Sequence, residues 1–186
     1  LVMKYLYIIL LFNMILSSEN YKEPLFDLLS KDGNIEIRKY SKCIIAKTSI
    51  DTINLDDNNM FRTLASYIFG SNKENKKIPM TAPVTTYQKN SSYNMIFYML
   101  DANEISQLPE TNGQSIEFET LDLGKCAVIP FSWFTTDARV SAYSEKLINY
   151  IEDNGFKQLS PIMVNRYDPP WRLPFLRRNE VLVQID

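Results

Sequence analysis

The chain has 186 residues, 45% of them hydrophobic and 23% charged, which suits one folded domain with a real core rather than a disordered or fibrous chain. Lys plus Arg number 20 against 22 Asp plus Glu, so the formal net charge of −2 gives no general attraction to nucleic acid. Histidine is absent, which removes Ser-His-Asp triads, Cys-His dyads and the usual His-based metal sites together.

The chain opens with LVMKYLYIILLFNMILSSENY, where Lys4 supplies a short positive region and Tyr5 to Leu16 is an apolar run interrupted by Asn13. Ser17 and Ser18 follow as small residues suited to cleavage, so 1–18 reads as a secretory signal peptide or an uncleaved anchor, too short for a comfortable membrane span. A buried N-terminal helix is the competing reading. An extracytoplasmic location is the expectation, with 19–186 as a single domain.

The remainder echoes itself. A shift that lays Lys42-Cys43 on Lys125-Cys126 also lays Met60, Leu64, Ala65 and Ile68 on Tyr143, Leu147, Ile148 and Ile151. The same shift lays Met80 on Met163 and the run Tyr93 to Leu100 on Leu176 to Val183. We read a duplicated strand–helix–strand–strand (βαββ) unit with pseudo-two-fold symmetry, one copy over about 35–100 and the other over about 118–186.

Strands are expected at Glu36 to Ala46, Tyr93 to Leu100, Thr120 to Phe131 and through NEVLVQI. A first helix starts near the capping cluster Asp56 to Asn59, carries an apolar stripe at Met60, Phe61, Leu64, Ala65 and Ile68, and ends at Gly70. A second starts at Thr136 or Asp137, carries Val140, Tyr143, Leu147, Ile148 and Ile151, and ends at Gly155. Short and moderate links favour antiparallel pairing, so the fold class is α+β: curved sheets or one distorted β-barrel, flanked by both helices. The polar segment Leu100 to Ser115 is the link between copies.

A groove between two such copies is a natural ligand site. Three segments could line it. The first is the helix edge at Tyr67 and Ile68. The second is KIPMTAPV, where Pro79 and Pro83 argue against a central strand and Met80, Ala82 and Val84 show apolar side chains; an edge strand guarded by prolines is the alternative. The third, RYDPPWRLPFLRRNEV, interleaves Tyr167, Trp171 and Phe175 with Arg172, Arg177 and Arg178. Flat apolar faces beside guanidinium groups suit a large planar ligand with carboxylate tails, as a haem has. Alternatively, Arg177 pairs with Glu180 or Asp168 and pins the loop.

KIPMTAPV, YDPPW…RRNEV and LASYIFGSN together resemble the SOUL haem-binding proteins, over roughly Glu36 to Asp186. The resemblance implies the duplicated fold that this family shares with effector-binding domains of drug-sensing bacterial regulators. It implies a haem or porphyrin partner and no catalytic activity general to the family; non-covalent binding by stacking and propionate pairing is our reading, and the charge balance speaks against a nucleic-acid partner. It points to Leu64, Tyr67 and Ile68 on the first helix and to Trp171, Arg172 and Arg177 on the last long loop as ligand contacts, beside Met80 and Tyr167 from the reading above.

The chain departs from the family pattern at Ala65 and Ser66, and FSWFT places Trp133 where a glycine-containing form is more common. With no histidine, an iron ligand would come from Tyr, Met, Cys or Lys, and Met80 and Tyr67 are the nearest candidates. A monomeric tetrapyrrole carrier is the favoured reading. A binder of other amphipathic molecules, with Glu180 or Glu117 meeting a cationic ligand, and a tetrapyrrole-modifying enzyme are the alternatives. Cys43 and Cys126 sit at equivalent repeat positions, and either pair or stay as small buried residues.

Overall fold

The computed structural model describes residues 21–54 and 56–186; the leader read at 1–18 lies outside them. The described strands are β1 (Phe26–Asp32), β2 (Ile35–Tyr40), β3 (Cys43–Asp51), β4 (Val84–Lys89), β5 (Ser92–Tyr98), β6 (Glu117–Leu121), β7 (Lys125–Phe131), β8 (Met163–Arg166) and β9 (Asn179–Gln184). Helix α1 spans Asp57–Ile68 and α2 spans Asp137–Asp153. The Asp56 side chain accepts from Asn59 N at 3.0 Å and Thr136 Oγ1 accepts from Arg139 N at 3.4 Å, so each helix has the side-chain cap its sequence announces. Gly70 and Gly155, at φ +106° and +71°, stand just past the two helix ends.

The strands form one nine-stranded sheet in the order β1-β2-β7-β9-β8-β4-β5-β3-β6, every ladder antiparallel. The fold is α+β, a curled half-barrel with its helices on one face. Leaving out β1, the order is its own mirror image about the β8–β4 junction once β2, β3, β4 and β5 are matched to β6, β7, β8 and β9. That is the expected duplication, with one correction. The single strands expected at Glu36 to Ala46 and Thr120 to Phe131 are each two. The first breaks at Ser41-Lys42, where Tyr40 N donates to Gly124 O at 2.8 Å and Ser41 N to Leu25 O at 2.9 Å. After the break β2 pairs with β7, and β3 with β5 and β6. β6 likewise leaves its own half to pair with β3.

Alternation along the strands fills both sheet faces. On the helix side Leu64, Tyr67 and Ile68 pack with Ile44, Ala46 and Phe97, while Leu147 and Ile151 pack with Ile129, Val181 and Val183. On the other side Tyr40, Cys126, Val128, Met163 and Leu182 form one cluster and Ile45, Ile96 and Tyr98 another, with Tyr87 against both. KIPMTAPV is not an edge strand. Its prolines end an irregular segment, and Val84 opens β4 in mid-sheet between β5 and β8.

Leu64 and its repeat partner Leu147 are both 0% exposed. Replacing either by Ala should cost about 2–5 kcal/mol through lost burial and the cavity left behind. Urea unfolding of Leu64→Ala and Leu147→Ala measures this, and a loss well below that range at Leu64 would remove it from the core.

Candidate functional site

The junction of the two halves is a strand pairing. The β4–β8 ladder crosses it with Thr85 against Asn165 and Thr86 against Val164. Thr85 Oγ1 donates to Asn165 Oδ1 at 2.6 Å, and Arg166 Nη1 donates to Thr86 Oγ1 at 2.7 Å. Backbone pairing and these side-chain bonds join the two halves edge to edge along this seam.

The sequence candidates fall into three places. Leu64, Tyr67 and Ile68 are fully buried in the α1 cluster, and Met80 packs against the same cluster. The Tyr67 hydroxyl donates to Pro109 O at 2.8 Å, and burial, with Glu74 nearby, pushes its pKa up to about 12. Tyr167 turns the other way, its hydroxyl donating to Glu180 Oε2 at 2.6 Å. Trp171, Arg172 and Arg177 lie on the β8–β9 loop at the surface, where Trp171 is 75% exposed.

That loop meets the link between β7 and α2. Trp133 N donates to Pro174 O at 2.8 Å, Asn179 Nδ2 donates to Trp133 O at 2.9 Å, and Arg166 Nε donates to Thr135 Oγ1 at 3.0 Å. The joined loops present Trp133 and Phe134, each 48% exposed, together with Phe175 at 56% and Trp171. The Arg177 guanidinium stands 4.8 Å over the Phe134 ring. Its Nε donates to Arg172 O at 2.9 Å and its Nη2 to Pro170 O, while Nη1 carries neither bond. Arg172 Nε pairs with Asp168 at 3.1 Å, and the same carboxylate accepts from Arg178 N at 2.6 Å. Asp168 therefore pins the loop through Arg172, the role the sequence left open for Arg177.

Trp133 has φ +80°, a region that favours glycine and costs other residues about 1–3 kcal/mol. The two bonds to its backbone hold it there. The departure of FSWFT from a glycine-containing pattern falls at this position; Phe134 carries no such local signal, and its exposure is a tertiary fact.

A second constellation lies on the sheet face away from the helices. Glu180, 1% exposed, accepts from Arg38 Nη2 at 3.0 Å as well as from Tyr167. Arg38 also donates through Nε to Glu36 at 2.8 Å and through Nη1 to the Tyr40 hydroxyl at 3.0 Å, with its guanidinium 4.3 Å over the Phe26 ring. Burial alone would lower the Arg38 pKa, but Glu180 and Tyr40 hold it above the ordinary value. The carboxylate that could have met a cationic ligand already holds a cation of its own. Glu117 pairs with Lys47 at 2.9 Å.

Among the described residues no group of three or more His, Cys, Asp or Glu side chains could hold a metal. Cys43 and Cys126 are free thiols, pushed by burial up to about 11 and about 12. No described helix is long and apolar enough to cross a membrane.

Residues 21–184 match the family described as SOUL heme-binding protein. A 57-residue stretch is 42% identical to human heme-binding protein 2, covering 30% of this chain and 28% of that protein. Among solved structures, the EcmrR C-terminal domain superposes with a TM-score of 0.59 at 14% identity, covering 87% of this chain and 98% of that one. An uncharacterised conserved protein from Listeria innocua gives 0.63 at 7% identity over 82% and 92% of the chains. A hydrolase from the same organism gives 0.57 at 6% identity over 85% and 94%. At such identities the structural likeness concerns the fold alone.

Replacing Arg38 by Met strands a buried carboxylate and should cost about 3–5 kcal/mol, whereas Arg38→Met with Glu180→Leu should recover much of it. Denaturant midpoints of the single and double variants check this. Cys126, fully buried, should not react with a thiol-specific chromogen at pH 8 until urea unfolds the chain, and prompt labelling of both thiols in the folded protein would contradict its burial.

Proposed function

Because the chain belongs to the SOUL heme-binding protein family, we propose that it binds a haem or related tetrapyrrole non-covalently on the aromatic surface of the two joined loops. The observation that carries this reading is the set of exposed rings Trp133, Phe134, Trp171 and Phe175 with a guanidinium 4.8 Å above one of them. Large exposed aromatic faces gain by covering, and such stacked pairs add about 0.5–1.5 kcal/mol beyond burial. Haem supplies a flat apolar ring system and two carboxylates. Arg177 stands over one of the rings, and its Nη1 and the two Nη groups of Arg172, which make none of the loop's described bonds, are the donors left for a carboxylate.

The residues suit the ring and its carboxylates better than they suit iron. The chain has no histidine. The hydroxyls of Tyr67 and Tyr167 are engaged at 2.8 and 2.6 Å, burial raises the pKa of both thiols, and Met80 is packed on the α1 cluster. Binding is thus read as indifferent to iron, and as carriage rather than turnover. In this reading the protein works as a monomer in an extracytoplasmic space, to which the apolar leader would direct it.

Both tryptophans of the chain, Trp133 and Trp171, stand on this surface, so their fluorescence reports on it directly. Haemin and metal-free protoporphyrin should each quench it saturably, with affinities within a factor of about three. Trp171→Ala should weaken both by about tenfold or more. Trp133→Gly should weaken binding while raising stability by about 1 kcal/mol through relief of the positive φ. A preference of tenfold or more for the iron form, or full affinity in Trp171→Ala, would overturn the assignment.

A further inference from the structure

Away from the loop surface, the protein has an open pocket of about 270 Å³ where the segment after α1 meets the link between β5 and β6. Its apolar floor includes Ile78, Met99 and Leu108, all of which belong to the α1 core cluster or pack against it. The frame is stiff. Pro79 and Pro109 form part of the wall, Ile78 N donates to Ile68 O at 2.8 Å, and the Asn72 side chain ties both the N–H and the C=O of Lys76. Tyr67, buried beneath, anchors the Pro109 carbonyl.

The rim is polar and its charges are unequally engaged. Asp101 is paired with Lys22, and the Gln107 carbonyl oxygen accepts from Asn103 N at 2.7 Å and Glu104 N at 3.3 Å. The rim acceptors are thus largely engaged by the chain itself. Lys76 and Lys77 have no carboxylate within ion-pair distance among the described residues, and the Gln107 amide nitrogen makes no described bond. An apolar floor beneath uncommitted ammonium and amide donors selects a ligand with an apolar body and a negative head.

We propose that this pocket binds a small amphiphilic carboxylate, a short aliphatic or aryl acid, with its chain on Ile78, Met99 and Leu108 and its carboxylate at Lys76 and Lys77. Its volume falls just under the ~300–1,000 Å³ usual for drug-sized ligands, which favours a short acid over a tetrapyrrole. The site shares no residue with the aromatic loop surface and does not rest on the tetrapyrrole reading. The two can be occupied together.

The test is a titration of the isotopically labelled chain with octanoate, octanol and octyltrimethylammonium, followed by amide and methyl NMR. Octanoate should shift Ile78, Met99, Ala102 and Leu108 saturably, and the cation should not. Lys76→Ala with Lys77→Ala, both exposed positions that leave the fold intact, should weaken octanoate by about tenfold, the loss expected for a charge-assisted contact. Ala102→Phe, confirmed folded by its melting curve, should abolish the shifts by filling the cavity. Tryptophan fluorescence should stay constant throughout. Absence of saturable shifts at these residues, equal response to the cation, or unchanged affinity in the lysine double variant would each overturn the proposal.

Discussion

Strand β4 lies against β8 at the middle of the sheet, and the Thr85–Asn165 side-chain bond at 2.6 Å locks the two halves of the duplicated chain together there. Once that ladder forms, the two halves share one hydrogen-bonded sheet. The sheet then runs unbroken from β1 to β6, with two helices filling one face and its own tyrosines, leucines and buried ion pair filling the other. The periphery differs in that its connections are free of sheet pairing. The aromatic loop surface and the lysine-rimmed pocket are both such places.

The buried Arg38–Glu180 pair has a related effect. A carboxylate under aromatic rings is a general recipe for holding cations, yet here the chain supplies its own guanidinium between Phe26, Tyr40 and Glu180. A foreign cation would have to displace a partner bonded on three sides.

Much of this was legible in the sequence where the physics is local. Asp56 and Thr136 announced the helix starts, Gly70 and Gly155 the ends, and the periodic stripes named Leu64 and Leu147 as inward-facing. The repeat in register gave the duplication. Legibility stopped where partners are distant in the chain. Nothing in Glu36 to Ala46 says that Ser41-Lys42 hands the strand to another half, because both pieces carry the same period-two pattern. Tyr167 and Trp171, four positions apart on one loop, face opposite environments, and only the location of Glu180 separates their roles. Nothing local marks Arg38 as half of a buried pair, because Glu180 lies 142 positions away.

The departure of β2 and β6 from their own halves gives the molecule the character of two interlocked hooks. β2 completes the half that begins after it by pairing with β7, and β6 completes the half before it by pairing with β3. A chain severed in the link between β5 and β6 would yield fragments that each lack an outer strand and carry a spare one. Such pieces are complementary rather than autonomous: each is a template for the other, and also for a second copy of itself. The duplicated architecture is in this sense an intertwined dimer made intramolecular, and its integrity rests on the covalent continuity of the link as much as on any packed core.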